Sequence, residues 1–315
     1  MYSRILVPLD GSDLAEHALP FAITLSRALS CPMELLRIPE DKRTHLGVEY
    51  DFAPITYDAM CVEGRETECL EYLDTVAEKI RMEGIDVSTK VRSGLAPVLI
   101  VDETKTDADT IVVMASHGRS GVTRWIMGSV ADAVLRESGG PLLLIRPIVG
   151  EKSKDPHLDR IVLPMDGSLV AEQVLPHVTR LAKALGMGVD LVRVTPSVSE
   201  YYRDASVHHV GGMPATTYPS YEEFVKGADV DAQSYMDDIK SDLEVEGVTS
   251  IETHLLHGSP TPVITDMARS NPGNIVMIAT HGRSGVGRWV LGSVADSIAR
   301  HSGCPVFLVR AKEEG

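Results

Sequence analysis

Residues 115–132 read ASHGRSGVTRWIMGSVAD, and residues 279–296 repeat this stretch as ATHGRSGVGRWVLGSVAD. Each copy follows a short apolar run and precedes a helical pattern, so both predict a strand, a glycine-rich loop and a helix. At a helix N-terminus the backbone N–H groups point outward and the helix dipole favours negative charge, while glycine lets a phosphate come close. The stretch therefore predicts an anion site that is present twice.

A second pair of segments extends the repeat over the chain. ILVPLDGS at 5–12 returns as IVLPMDGS at 161–168, an offset of 156 residues, whereas the glycine-rich stretch returns at an offset of 164. A period of this length is too long for a solenoid and indicates a duplicated domain. We predict a first domain over 1–148, a charged linker over 149–159 and a second domain over 160–315.

Within each half, short apolar runs alternate with amphipathic segments. In the first half the pattern predicts strands at 5–9, 33–38, 87–91, 110–114 and 142–145, and helices at 12–29, 68–83 and 96–104. Pro20 and Pro176 fall inside the first helix of each half, where we expect a kink or a late start. The alternation indicates an α/β fold with two tandem, doubly wound, Rossmann-like domains, each with a mainly parallel five-stranded sheet. In such sheets ligands bind beyond the carboxyl ends of the strands.

The composition limits the classes of protein to which the chain can belong. It has 315 residues, 43% of them hydrophobic, and a formal net charge of −15. Proteins that bind nucleic acid cluster Lys and Arg to neutralise phosphates, so this acidity argues against nucleic acid and against an anionic membrane surface as partners. A small anionic ligand stays compatible, because local backbone dipoles decide its binding.

The cysteines and the start of the chain favour a cytoplasmic protein. The four cysteines form no C-x-x-C pair and suggest no disulfide framework. The first strand is expected from Arg4 or Ile5, which leaves no signal peptide, and no apolar run reaches the roughly 18–20 residues of a membrane span. We predict a cytoplasmic location.

The longest difference between the halves is an insert at 196–227, rich in Tyr and Gly and containing His208 and His209. It reads either as a surface loop with a short helix or as a lid over one site. The two histidines are neighbours that would point apart in a strand, and no carboxylate spacing supports them. We predict no metal site.

Each half resembles a universal stress protein domain of the ATP-binding type. That family carries G-x2-G-x9-G-(S/T) after strand four, and both copies of the glycine-rich stretch match it at every place but the first, where Ala115 and Ala279 stand. The family's strand-one aspartate matches Asp10 and Asp166. The resemblance covers nearly the whole chain, twice, and implies an adenine nucleotide alpha hydrolase-like fold.

The resemblance also implies a set of nucleotide-binding residues. Asp10 and Asp166 would help to place the nucleoside, and the backbone at Ile38 and Val194 would meet the adenine edge. The bound ligand would be ATP, or ADP or AMP, with a Mg ion accompanying the phosphates. The full set is Pro8, Asp10, Ile38, Ala115, Gly118, Arg119, Ser120, Gly121, Gly128, Ser129, Val130, Pro164, Asp166, Val194, Ala279, Gly282, Arg283, Ser284, Gly285, Gly292, Ser293 and Val294.

The residues themselves leave simpler alternatives open. Ser129 and Ser293 are expected to cap the following helices, with an aspartate three residues on, as in a capping box. Asp10 could only cap the turn before the first helix, and Gly128 could only mark a loop. Alanine at the first motif position is harmless if the backbone there is extended and unfavourable if it is left-handed.

Other conspicuous residues of the loop can also be explained by structural roles. His117 and His281 are expected to orient the loop rather than to act chemically. Arg124 and Arg288 could contact a phosphate or form surface ion pairs.

Three functions compete at this point. The first is a stress-response regulatory protein that binds an adenine nucleotide in one or both halves. The second is a slow ATPase that acts as a timer, although the loops contain no G-K-(S/T) and no water-activating base stands out, so we name no catalytic residue. The third is an interaction protein with vestigial nucleotide sites.

The resemblance implies an assembly as well. Domains of this family pair through edge strand five, here 142–145 and 306–309. A tandem chain could form that pair within itself, which would cover two sheet edges. We therefore predict an intramolecular pseudo-dimer, with a homodimer and an unidentified protein partner left open.

Overall fold

The computed structural model describes residues 2–39, 55–116, 127–147, 156–197, 221–280 and 291–311; for 55–64 and 221–226 it describes the backbone alone. The chain divides into two compact units, Met1–Pro156 and His157–Gly315. Each unit contributes five parallel strands.

The first unit alternates strands and helices along the chain. Its elements are β1 Arg4–Pro8, α1 Asp13–Glu16, α2 Leu19–Leu29, β2 Met33–Arg37, α3 Ile55–Met82, β3 Val87–Val91, α4 Ala96–Thr106, β4 Thr110–Ala115, α5 Ser129–Glu137 and β5 Leu142–Ile145. The strands are parallel and lie in the order β3-β2-β1-β4-β5.

The second unit repeats this order of elements. They are β6 Arg160–Pro164, α6 Leu169–Glu172, α7 Leu175–Leu185, β7 Gly188–Thr195, α8 Tyr221–Val245, β8 Ile251–His257, α9 Pro260–Arg269, β9 Asn274–Ala279, α10 Ser293–His301 and β10 Val306–Val309. Its strands are also parallel, in the order β8-β7-β6-β9-β10.

This topology confirms the predicted fold and locates its crevice. The strand order reverses between β1 and β4 in the first unit and between β6 and β9 in the second. In open parallel sheets a ligand crevice lies beyond the strand carboxyl ends at that reversal. Every residue of β4 and of β9 is buried, as expected for central strands covered on both faces.

The predicted first helix is two helices. The hydroxyl of Ser12 accepts a hydrogen bond from the N–H of Ala15 and caps α1, which ends at Glu16; α2 then begins at Leu19 with Pro20 in its first turn. Proline is favoured there because its missing N–H has no helical acceptor in any case. The expected late start is confirmed, and the second unit repeats it with Ser168 and Pro176.

The helix α3 is longer than the predicted 68–83. It begins at Ile55, within a stretch that the sequence analysis treated as a connection with at most a short helix. The buried stripe of its described side chains begins only at Cys69 and continues through Leu73, Val76, Ala77 and Ile80. Apolar periodicity therefore locates the part of α3 in which the described buried side chains lie, but not the start of the helix.

No helix in the described part of the chain is long and apolar enough to cross a membrane.

Candidate functional site

The turn after the first strand of each unit holds an aspartate at the crevice. Oδ1 of Asp10 accepts hydrogen bonds from the N–H of Ser12 at 2.9 Å and from its hydroxyl at 2.6 Å. Oδ1 of Asp166 accepts the same pair of bonds from Ser168 at 3.0 and 2.6 Å. The aspartate therefore does cap its turn, and these bonds also fix the carboxylate beside the strand end.

A cleft opens at the same edge of the second unit. Its cavity volume is about 210 Å³. Seven of the predicted residues line it, drawn from β6, β7, β9 and the start of α10: Pro164, Asp166, Val194, Ala279, Gly292, Ser293 and Val294. The structure thus brings together residues that lie up to 130 positions apart in the sequence.

Part of the lining was missed by sequence reasoning. The apolar walls include Val192 on β7, Ile264 on α9 and Ile278 on β9, and Pro260 begins α9 at the mouth. Strand alternation gives a signal that could have found Val192, because it lies two residues before Val194 and so on the same face. Apolar walls with a few polar groups are typical of sites that bind small molecules.

The base of the glycine-rich loop is closed in both units. The N–H of Gly128 donates to the carbonyl of Ser116 at 2.8 Å, and the N–H of Gly292 donates to the carbonyl of Thr280 at 2.7 Å. These bonds place the start of α5 beside the end of β4, and the start of α10 beside the end of β9. The order of strand, loop and helix that the sequence predicts is confirmed at both ends of the loop.

Much of the predicted phosphate loop lies outside the described residues. This applies to His117, Gly118, Arg119, Ser120, Gly121, Arg124, His281, Gly282, Arg283, Ser284, Gly285 and Arg288, and to most of the insert at 196–227.

The predicted capping box is wrong. The N-cap of α5 is Gly128, with extended φ −61° and ψ 147°, and Ser129 is the first helical residue. Asp132 pairs instead with Arg136 one turn on, its Oδ2 3.1 Å from Nε. An acidic residue at this spacing can pair with a basic residue one turn further on or take part in a capping box. The sequence pattern alone does not distinguish the two.

The second unit repeats this helix start, and the consequence is the same for both. The N-cap of α10 is Gly292, Ser293 is its first helical residue, and Asp296 pairs with Arg300. No side-chain hydrogen bond among the described residues caps either helix. The first-turn N–H groups, which have no acceptor within the helix, therefore keep their capacity to bind an anion.

Alanine at the first motif position fits the local backbone. Ala115 ends β4 and Ala279 ends β9, so both are extended and buried. The non-glycine residue with positive φ in the described part of the chain is Ser30, at the end of α2. The departure from the glycine motif is therefore free of backbone strain.

The first unit carries the matching residues at the matching places. Pro8 ends β1, Ile38 follows β2 directly, and Ser129 and Val130 open α5. Asp10 holds its turn as Asp166 does. The two units therefore share the frame of the candidate site.

A group of metal-ligand type lies elsewhere in the second unit. Oxygen and nitrogen atoms of Asp190, Glu252 and His254 lie within 4.8 Å of one another. The guanidinium of Arg160 already takes both oxygens of Asp190, at 2.8 and 2.6 Å, and lies 3.0 Å from Glu252. A fixed cation occupies the centre of this group, so it is an ion cluster rather than a metal ligand set.

Comparison with known proteins identifies the repeated domain. A sequence profile of the universal stress protein family matches the chain twice, at residues 1–146 and 157–310. A protein of Staphylococcus haemolyticus named as a universal stress protein is 35% identical over 115 residues, which is 35% of this chain and 70% of the relative. One of Staphylococcus aureus strain USA300 is 33% identical over 115 residues, 35% of this chain and 69% of the relative.

Solved structures show the same fold over both halves. A universal stress protein from Archaeoglobus fulgidus superimposes with a TM-score of 0.66 at 20% identity, covering 98% of this chain and 99% of its own. One from Pseudomonas aeruginosa gives a TM-score of 0.63 at 15% identity, covering 98% of this chain and 94% of its own. At this identity the likeness concerns the fold.

Proposed function

This chain belongs to the universal stress protein family, and we propose that it is a regulatory protein that binds an adenine nucleotide at the carboxyl edge of one or both sheets. The observation that carries the proposal is the cleft of the second unit. Its lining combines apolar side chains with Asp166 and with the first residues of α10. A nucleotide combines matching parts: a flat base, a ribose with hydroxyl groups, and phosphates.

The base would lie in the apolar part of the cleft. Val192, Ile264 and Ile278 offer surface for a purine ring, and the backbone at Val194 offers hydrogen bonds to its edge. The carboxylate of Asp166 would accept hydrogen bonds from ribose hydroxyl groups. In the first unit Ile38 and Asp10 would take these two roles.

The phosphates would lie against the glycine-rich loop and the helix that follows it. Ser293 and Val294 supply first-turn N–H groups, and the hydroxyl of Ser293 adds a donor. The segments 118–121 and 282–285 complete the proposed phosphate site in the two halves. ATP would bring a Mg ion with its phosphates, and ADP or AMP would use the same base and ribose contacts.

The other parts of the expected assembly stay proposals too. We infer a cytoplasmic location, a linker over 149–159, and pairing of strands 142–145 and 306–309 within one chain. Hydrolysis is not needed for this function: nucleotide occupancy alone can shift the affinity for a partner if the two states bind it differently.

Calorimetric titration with ATP and Mg²⁺ tests the proposal. The native chain should bind saturably, and Gly128→Glu with Gly292→Glu should abolish binding, because each new carboxylate enters an anion site. The single variants assign the stoichiometry to the halves. Gly227→Glu is the matched control, because that glycine lies in α8 with open space around it, and it should leave binding intact.

The proposal would be overturned by a native protein that shows no binding at millimolar ATP and carries no nucleotide through purification. Both glycine-rich loops would then be scaffold, and the interaction protein with vestigial sites would be the better description.

A further inference from the structure

A cluster of three polar side chains lies behind the aspartate turn of the first unit. Arg37 ends β2, and its guanidinium carbon lies 4.5 Å from the centroid of the Tyr72 ring on α3. The Tyr72 hydroxyl donates to Oε1 of Glu16 on α1 at 2.7 Å. The cluster therefore ties together two helices and the end of a strand.

The guanidinium of this cluster packs directly on the turn. A Cβ atom placed on Gly11 would lie 2.6 Å from Nη1 of Arg37 and 2.9 Å from its Cζ. Gly11 has φ +78°, so glycine is favoured there by its backbone as well. Because Gly11 lies between Asp10 and Ser12, Arg37 supports the residues whose hydrogen bonds fix the carboxylate.

The second unit has the same cluster in a wider form. Nη1 of Arg193 donates to the carbonyl of Met165, the residue before Asp166, at 3.1 Å. Its guanidinium carbon lies 6.0 Å from the Tyr235 ring on α8. The Tyr235 hydroxyl is buried without a hydrogen-bond partner among the described residues.

Both tyrosines are held neutral. Burial, and then the hydrogen bond to Glu16, raise the pKa of Tyr72; burial, and then the negative charge of Glu172, raise the pKa of Tyr235. A neutral ring beside a guanidinium gives a cation–π contact rather than an ion pair.

The three residues of this cluster occur in both halves of the chain, although the residues around them differ. Arg37 and Arg193 are related by the offset of 156, as are Glu16 and Glu172. Tyr72 and Tyr235 are related by an offset of 163, and over residues 69–76 the two helices share only this tyrosine and one aspartate. Packing alone would accept an apolar residue at each place.

Strand alternation places the arginine on the far side of the turn from the ligand. Val192 and Val194 line the cleft, so Arg193 between them projects to the opposite face of β7. Asp166 lines the cleft and also a second cavity, which Arg193 and Tyr235 line with it. Arg193 therefore approaches the aspartate turn from the side away from Val192.

We propose that Arg37 and Arg193 are positioning residues of the nucleotide sites, which fix the aspartate turn from the face opposite the cleft and link it to α3 and α8. This inference rests on the proposed function. A guanidinium suits the role because its planar group can stack on a ring and donate to a carbonyl at the same time. It follows that a shift of α3 or α8 would move the aspartate that meets the ribose.

Hydrogen exchange without any nucleotide gives the first test. Arg37→Met should speed exchange of the Ser12 amide, and Arg193→Met that of Ser168, about tenfold or more, because the bonds to the aspartate lose their support. Each effect should stay in its own half. Arg27→Met is the matched control, because Arg27 is exposed and its ion pair in the described part of the chain is with Glu83 on the surface, at 3.2 Å, so both amides should keep their native rates.

Ligand discrimination gives the second test. Each half is measured with the other disabled by Gly128→Glu or Gly292→Glu. Loss of the arginine should weaken ATP binding about tenfold and reduce the preference for ATP over 2′,3′-dideoxy-ATP towards one, because a misplaced aspartate no longer selects the ribose hydroxyls. Adding Arg37→Met to Asp10→Asn should weaken ATP binding little further, since both substitutions act through the same contact.

The two proposals fail in different ways. If native protein binds ATP while the arginine variants keep both the native amide exchange and the native preference for ribose, the positioning role is wrong and the nucleotide site stands. If native protein does not bind ATP, the nucleotide site is wrong. Unchanged exchange at Ser12 and Ser168 would overturn the support of the turn with or without ATP.

Discussion

The two halves build the carboxyl edge of the sheet with the same residues and the region near the start of the first strand with different ones. At the edge, the Asp-Gly-Ser turn and the Gly-Ser helix start are identical in both. Near the strand start, one arginine is kept, Arg4 in the first half and Arg160 in the second, but its partners differ.

In the first half the arginine joins a large ion cluster. Arg4 lies 2.8 Å from Glu34 and 2.9 Å from Glu103. Lys90 and Arg92 approach the same Glu103, at 2.7 and 2.9 Å. Burial opposes the charge of Glu103, but its bonds to Lys90, Arg4 and Arg92 prevail and lower its pKa to about 2.

In the second half the cluster is smaller and more open. Asp190 takes two hydrogen bonds from Arg160, and Nε2 of His254 lies 3.1 Å from it. The offset of 164 puts Met267 at the place of Glu103. The partly buried charge of the arginine near the start of the first strand has to be neutralised, and different sets of residues do this in the two halves. At the carboxyl edge, by contrast, both halves keep the same residues.

Among the variants that test this comparison, Glu103→Gln should have the largest effect on the free energy of unfolding. At pH 7 we expect the first half to lose about 2–3 kcal/mol of unfolding free energy, because three cations lose their shared carboxylate. The pKa of Glu103 is lowered from 4.5 to about 2, so its contribution is present above pH 4.5 and disappears as the pH falls to 2. Denaturant-dependent hydrogen exchange, which reports each half separately, measures it.

The matched control for Glu103→Gln is Glu252→Gln in the second half. Its side chain is 62% exposed and also meets an arginine, so it should cost below about 1 kcal/mol. Equal losses for the two variants, or a loss for Glu103→Gln that persists at pH 2, would contradict the account of the cluster.

A smaller effect separates the two tyrosines. Tyr72→Phe removes a hydrogen bond to a carboxylate and should cost about 1–2 kcal/mol. Tyr235→Phe removes a buried hydroxyl with no hydrogen-bond partner in the described part of the chain, so it should be neutral or slightly stabilising. Denaturant-dependent exchange in α3 and α8 measures both, and a loss at Tyr235 as large as that at Tyr72 would show that the two clusters are alike.

The smallest effect concerns the end of the second helix of each half. Ser30 ends α2 with φ 50°, and Gly186 ends α7 with φ 68°. Left-handed backbone strains serine but not glycine, so Ser30→Gly should stabilise the first half by about 0.5–1 kcal/mol and Gly186→Ser should cost the second half a similar amount. Thermal unfolding of the two variants measures whether each change stabilises or destabilises its half. A stability change of the same sign in both variants would contradict this account of the two helix ends.

Much of the fold could be predicted because the strands are short apolar runs. The predicted strands at 87–91, 142–145 and 306–309 have the observed bounds. The length of α3 could not be predicted in this way, since periodicity marks only its packed face. The break between α1 and α2 was foreseen from Pro20, because a proline fixes its own backbone angle wherever it stands.

The frame of the site could be predicted, but its supports could not. Asp166 and Ser293 were found because a motif carries them. Ser129 was misassigned as a cap, because a serine with an aspartate three residues on fits two local structures. The cluster of Glu16, Arg37 and Tyr72 is invisible to motifs, since its members lie far apart in sequence; comparison of the halves reveals it only when two offsets, 156 and 163, are used.

The order of the two units along the chain also bears on how the protein folds during synthesis. The first unit ends near residue 156, and synthesis of the second takes roughly 10–30 s at about 5–20 residues per second. Domains of this size and class fold in milliseconds to seconds. The first unit should therefore fold before the second half's strands emerge, so strands β1 to β4 are already paired with one another when the related strands of the second half appear.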